Sequence, residues 1–312
     1  MNNPLEKKFP VKLPPITPQP GAPSKFLFLI DVWWILKQDK TALTGFFVII
    51  GLLGIALLAP WLAPYGFSEQ HIVHSFKGPD PRFWLGTDEF GRDLLSRMIW
   101  GTRPALLVGV FSVLVSIGIG VPIGLIAGLK LGWVDRIVSW FVDIMLSFPS
   151  LLLGLTLVTL LGPGVYKVAI AIGIAHIPQY VRLARGPTMS IRNLDFISAS
   201  RALGAGDLRL AFAHILPNVI GPIIIMATLS IAGAIRMEAS LSFLGLGVQP
   251  PTPSWGNMIR EGVENILQSP WMALFPGLIL TFTVLAFNMV GDSLRDMFDP
   301  RTMITRRPKS TQ

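Results

Sequence analysis

Charged side chains inside apolar stretches are where this sequence could do chemistry, and it has few of them. They are Asp143, Arg236 and Glu238, with Asp292 at the end of the last apolar run. A charge at the centre of a bilayer costs about 2.5–3.5 kcal/mol on insertion scales, so such a group faces a partner or a water-filled path. Arg236 and Glu238 lie two apart, on different sides of a helix, which argues against mutual neutralisation. For Asp143, structural pairing and pathway lining both stay open. Glu238 can instead begin a re-entrant segment, because residues 238–248 are apolar, glycine-rich and poorly periodic.

Catalytic chemistry finds little support. His71 and His74 form a His-x-x-His, but a metal site needs three or four ligands and only Glu69 stands beside them, so no metal is expected. His176 and His214 are expected to be packed or hydrogen-bonded. There is no Gly-x-x-x-x-Gly-Lys-Ser/Thr loop to cradle ATP phosphates, no His-Glu-x-x-His and no Gly-x-Ser-x-Gly elbow. No catalytic residue is assigned. Energy for any transport must come from another chain or from an ion gradient.

The elements that position these charges are membrane-spanning helices. The chain has 312 residues, of which 51% are hydrophobic and 14% charged. Soluble domains carry about 25% charged residues, so most of this surface meets lipid. The net charge of +8 reads as basic loops facing anionic lipid rather than as a nucleic-acid interface. Cysteine is absent, which excludes thiol chemistry. Six spans are expected, at 42–63, 105–129, 137–161, 165–181, 219–235 and 272–290. Before them, a Pro-rich tail and an amphipathic segment at 26–36 read as a cytoplasmic tail and a surface helix, not as a secretory signal.

Basic residues cluster in the N-terminal tail, in the loop after span four (Arg182, Arg185, Arg192, Arg201, Arg209) and at the C-terminus. All three fall on the cytoplasmic side if there are six spans and the N-terminus is inside. The loop at 64–103 carries Lys77, Arg82, Arg92, Arg97 and Arg103 and weakens that assignment without reversing it. Pro122, Pro149, Pro178, Pro222 and Pro276 are expected to bend their helices. Gly118, Gly120, Gly124 and Gly128 fall at helical spacing and predict a close helix–helix seam.

Between spans four and five lies an insert of about twenty polar, helical-looking residues, far more than a reversal needs. Asp195 is placed to cap a first helix, with Ile197, Leu203 and Leu208 on an apolar side and Arg201 and Arg209 on others. Gly204 permits the left-handed turn that ends this helix, and Pro217 starts the next span. The expectation is a helix, a turn and a second helix lying flat at the membrane face. The bland reading is an interfacial anchor for span five; the functional one is a knob seated in a groove of another protein.

This insert resembles the EAA loop of bacterial ABC-transporter permeases, with Gly204 and Leu216-Pro217 at the family's spacing. Ser198 stands where Glu is usual and Ser200 where the second Ala is usual, departures that point to the peptide-permease branch. Three more blocks look like the C-type permease subunit of dipeptide, oligopeptide and nickel importers. They lie at 85–97, around Thr87, Asp88, Arg92 and Asp93, at 238–257, and at 287–301. The similarity runs from about Asp39 to Arg301.

The resemblance implies an all-α integral membrane protein with six transmembrane helices, of the type I ABC importer permease fold. It implies a non-catalytic subunit of the inner membrane, carrying di- or oligopeptides, with nickel or another small solute as the alternative. The partners implied are a homologous B-type permease, two ATPase subunits that use ATP and Mg, an extracytoplasmic substrate-binding protein and lipid; no cofactor is assigned to this chain. The coupling segment would be Ser198, Ala199, Ser200, Arg201, Ala202, Leu203, Gly204, Ala205, Gly206 and Asp207. Asp88, Arg92, Pro251 and Trp255 are candidate contacts for the binding protein, although Asp88 and Arg92 also read as an ion-paired helix start. Pro250, Pro251 and Pro253 would stiffen their loop, and Trp255 would anchor it at the interface.

The chain then divides into a cytoplasmic tail with surface helix (1–40), the first span with its outer loop (41–103), a core of five spans (104–295) that includes the cytoplasmic coupling loop (182–218), and a C-terminal cytoplasmic tail (296–312). An ion-coupled secondary transporter is the main rival, but no internal repeat is evident.

Overall fold

The computed structural model describes residues 39–298, and among these there is no strand. The expected surface helix at 26–36, most of both tails and the end of the fourth sequence block lie outside the described residues.

Nine helices carry the described chain: α1 Lys40–Leu62, α2 Leu94–Lys130, α3 Gly132–Ser147, α4 Ser150–Leu161, α5 Val165–Ile191, α6 Asp195–Ala202, α7 Asp207–Phe243, α8 Trp255–Glu264 and α9 Trp271–Phe298. Four are long and apolar enough to cross a membrane: α1, α2, α7 and α9. The expected third span is not one helix. It is the pair α3 and α4, bent by 95° at Phe148-Pro149. Pro149 cannot donate to a preceding carbonyl, and it holds Phe148 in extended backbone. Pro122, Pro178, Pro222 and Pro276 all sit within continuous helices.

The expected fourth span is a longer helix, α5, which is not among those four helices, and its apolar face is packed inside the protein. Val168, Ala171, Ile172, Ala175, Tyr180 and Ala184 are buried. Helices α2 and α5 run parallel in close contact. A side chain on Gly120 would meet Tyr180 Cβ at 2.8 Å, one on Gly124 would meet the Val181 carbonyl at 2.4 Å, and one on Gly128 the Arg185 carbonyl at 2.8 Å. Gly173 of α5 returns the contact on Ser112 and Val115. The small-residue seam therefore uses Gly120, Gly124 and Gly128, one per turn. Gly118, expected with them, points into open space. Gly124→Val is expected to separate the two helices, since even its Cβ clashes with backbone that cannot move aside. Purified yield and thermal midpoint should both fall sharply, whereas Gly118→Val should change neither.

Packing also fixes which ends lie together. Gly45 of α1 packs on Ala286, Met289 and Val290 of α9, so these two helices are antiparallel. Helix α7 runs against α2: Ile235 packs on Gly109, while Leu210, Ile215 and Val219 cluster with Leu125 and Leu129. Tyr65, after α1, donates its backbone N–H to Ser96 Oγ at the start of α2. The start of α1, the ends of α2, α5 and α9, and the 192–207 segment therefore share one end of the bundle. The 63–93 loop and α8 occupy the other.

Candidate functional site

The segment at 192–207 is built as an exposed tip on a fixed base. Leu194, not Asp195, is the N-cap of α6; Asp195 sits one residue inside, where its charge complements the helix dipole without capping a backbone N–H. Ile197 is fully buried in a cluster with Leu125, Leu129, Leu210, Ala211 and Ile215. Arg192 donates to the Leu129 carbonyl at 2.8 Å and fixes the segment's entry. The helix ends in a Schellman turn: Gly204 N–H donates to Arg201 O at 3.0 Å and Ala205 N–H to Ser200 O at 3.1 Å. Gly204 takes φ +86°, as its type predicts.

Two further expectations fail here. Leu203 and Leu208 do not join Ile197 on a buried side; they are 90% and 66% exposed, and Phe196 and Leu194 are exposed as well. The Schellman turn swings Leu203 outward, away from the base. None of the residues from Ser198 to Asp207 is buried. Nor does Pro217 start the span, because α7 begins ten residues earlier, at Asp207, and runs through. The missing N–H of Pro217 is accommodated by a π-helical stretch, Leu210–Ile215, immediately before it. The tip's last residue, Asp207, thereby opens a helix that runs through to Phe243.

The charges inside the spans are arranged in three ways. Asp143 accepts from Arg182 Nη2 at 2.7 Å across α3 and α5, and Asp135 takes both Nε and Nη2 of Arg185, the latter at 2.8 Å. Glu238 is buried and accepts from Ser242 Oγ at 2.6 Å. It lies inside α7, which continues to Phe243, so it does not begin a re-entrant segment. Arg236, on the opposite side of α7 as expected, is exposed and lines a groove. His176 contacts the Ile172 carbonyl through Nδ1 at 2.8 Å.

At the far end, the second and third sequence blocks meet. Asp88, with no exposed surface, accepts from Arg92 Nε at 2.6 Å, from the Phe90 and Arg92 backbone at 2.9 Å each, and from Arg97 Nη1. Arg97 also donates to Glu261 Oε2 at 2.9 Å, which ties α8 to the start of α2. Asp93 caps α2 through Ser96 N–H at 2.7 Å, and burial pushes its carboxyl above the usual range despite that bond. Desolvation and the neighbouring Glu261 and Asp88 likewise raise Glu89.

Trp255 is not an interfacial anchor. It is 1% exposed, packs on Gly101 and donates its indole N–H to Met98 O at 3.1 Å. Of the four candidate docking residues only Pro251 is exposed; Asp88 and Trp255 are inside, and the Arg92 side chain is nearly so. Arg97 and Glu261 were missed because their partnership spans 164 residues of chain and leaves no local pattern. Among the described residues no group of three metal-binding side chains occurs; His71 Nε2 lies 3.3 Å from Glu69 and His74 Nε2 3.4 Å from Arg82.

A bundle in which four helices are long and apolar enough to cross a bilayer defines a multi-pass membrane protein. The sequence model described as "Binding-protein-dependent transport system inner membrane component" matches residues 120–304, and that described as "N-terminal TM domain of oligopeptide transport permease C" matches 28–79. The chain belongs to the family of binding-protein-dependent transport permeases.

It is 45% identical to a di/tripeptide transport system permease protein of Pseudomonas aeruginosa, over 88% of this chain and 92% of that one. It is 42% identical to a glutathione transport system permease protein of Pectobacterium atrosepticum, over 85% and 88%. A chain of the inward-facing MetNI methionine ABC transporter superposes with a TM-score of 0.54 at 18% identity, covering 65% of this chain and 97% of that one, and it shares the fold.

Proposed function

We propose that this chain is one permease half of an ATP-driven, binding-protein-dependent importer of di- or oligopeptides. The observation that carries this reading is the exposed tip at Ser198–Asp207, held on a buried base and continuous with a spanning helix. Its relatives at 40–45% identity include peptide and glutathione permeases, which supports peptide cargo over nickel. In this reading a B-type permease supplies the other half of the path. Two ATPase subunits, binding ATP and Mg, seat the tip in grooves and drive α7 against its neighbours as the pathway alternates its opening. This chain itself does no catalysis.

The tip end of the bundle faces the cytoplasm in this reading. The basic residues Lys40, Lys130, Arg192, Arg201, Arg209 and Arg295 gather there, which supports that orientation. A reporter fused after Gln312 should remain cytoplasmic; an extracytoplasmic signal would reverse the topology. The opposite end would receive the binding protein. Its contact residues are better sought in Pro251 and in the exposed Val73, Trp84, Phe90 and Leu267 than in the buried Asp88 and Trp255. The proposed importer is tested by purifying the chain with candidate ATPase and permease partners. A stable complex whose ATP hydrolysis rises with peptide-loaded binding protein is expected. Proton- or sodium-driven uptake by this chain alone would overturn the reading.

A further inference from the structure

The arginines of the spanning helices are accounted for, with one exception. Arg97 and Arg182 meet carboxylates, Arg185 pairs with Asp135, and Arg103 donates to the Ala56 carbonyl at 2.6 Å. Arg136, Arg209 and Arg295 sit within two turns of a helix end at the tip end of the bundle, where water and lipid headgroups reach them. Arg236 lies seven residues before the end of α7, roughly 10 Å along its axis. Its side chain has no ion pair or hydrogen bond among the described residues.

Its surroundings do not neutralise it. Glu238 points to the other side of the helix and is held by Ser242. His176, a base rather than an acid, is close enough to feel the Arg236 charge. A second guanidinium stands nearby: Arg260 lies over Gly245, and its buried Nε has no hydrogen-bond partner. Leu244 and Ile259, the residues just before these two, line the same groove as Arg236. That groove has a volume of about 360 Å³, and Leu151, Phe243 and Leu280 make its other walls apolar. It thus joins uncompensated positive charge to a surface that is indifferent to side-chain identity.

We propose that the groove is a binding site for the C-terminal carboxylate of the transported peptide, with Arg236 as its partner. This rests on the peptide-importer reading above. A planar guanidinium takes a carboxylate through two parallel hydrogen bonds, a geometry that lysine cannot reproduce. Apolar walls discriminate only weakly between side chains, which suits a carrier of varied peptides. The common feature of such cargo is its terminal charge, and Arg236 answers that charge.

The test uses the full assembly in lipid nanodiscs, trapped with ATP and vanadate after loading with radiolabelled trialanine or trialanine amide. The rate at which each peptide leaves is then measured. Wild-type assembly should release the acid about tenfold more slowly than the amide, the effect of one charge-assisted contact. Arg236→Gln should speed release of the acid about tenfold and leave the amide unchanged, and Arg236→Lys should fall between. Unchanged release of the acid, or equal acceleration of both peptides, would overturn the proposal. So would failure of both variants to enter the assembly, which would point to an acidic side chain of the neighbouring permease as the occupant. Wild-type assembly that takes up neither peptide before trapping would overturn the peptide reading itself, a distinct result.

Discussion

Uptake by an assembly carrying Gly204→Val is expected to fall at least tenfold while the chain still folds. Gly204 holds φ +86° at the end of α6, and a side chain there would meet nothing within 4 Å. The effect is therefore conformational and not steric. An L-residue in this region costs about 1–2 kcal/mol, and a β-branched one is a clear outlier. Valine should open the turn, release the bonds from Gly204 and Ala205 to Arg201 and Ser200, and re-aim Leu203. Ile197 and the base beneath it would be untouched.

Gly206 supplies the control. Its φ is −72° and its surroundings are equally open, so Gly206→Ala should be neutral. Transport assays in proteoliposomes and a melting curve for each variant check both statements. Wild-type uptake by the valine variant would remove the tip from any coupling role.

Arg97→Met is expected to cost about 3–5 kcal/mol of stability, the largest effect of any single substitution considered. Removing one partner of a buried ion pair leaves the other uncompensated, and the penalty comes from that stranded charge. Arg97 stands between Asp88, which has no exposed surface, and Glu261. Without it two carboxylates face one remaining guanidinium, Arg92, which reaches Asp88 at 2.6 Å but Glu261 only at 3.6 Å. Glu261→Gln should be milder, because an amide of the same shape keeps a hydrogen bond and removes a charge that repels Asp88. Thermal unfolding of the purified variants followed by tryptophan fluorescence checks the order. A methionine variant as stable as wild type would show that the cluster is solvated and does not staple α8 to α2.

Several features were legible in the sequence because they are local. Gly204 at a left-handed helix end follows from residue type and position alone. So do the apolar spans, and the separation of Arg236 from Glu238, since two residues on a helix differ by about 200° of rotation. The fourth span was also visible, but its true length was not. Its last turns are polar yet remain helical to Ile191, where Gly124 and Gly128 of α2 pack on Val181, Arg185 and Thr188. Asp195 illustrates a one-residue error of the usual kind: a good capping residue was present, yet the chain turned one position earlier and left it in the first turn.

Where the reading failed, contacts between distant segments were responsible. Leu203 and Leu208 were read with Ile197 as one apolar side, yet Ile197 is the one of the three that is buried, because Leu203 lies about 240° round the helix from it and Leu208 follows the turn at Gly204. Trp255 has the composition of an interfacial anchor, but Gly101 opens a slot for its indole and Met98 offers it a carbonyl. Gly118, read with the other three, precedes Gly120 by two residues, about 200° round the helix, and so faces away from α5.

Hydropathy, glycine and proline positions and basic clusters, all properties of short windows, were enough to define a helical membrane protein with an ordered insert between two spans, and the resemblance of four sequence blocks added the permease family. The tertiary structure alone decided which charges are satisfied and which is left free. Asp88 finds Arg92 and Arg97, Asp143 finds Arg182, and Arg236 finds no partner among the described residues. Pairing energy depends on the distance between groups, and in a bundle that distance is set by which helices lie side by side.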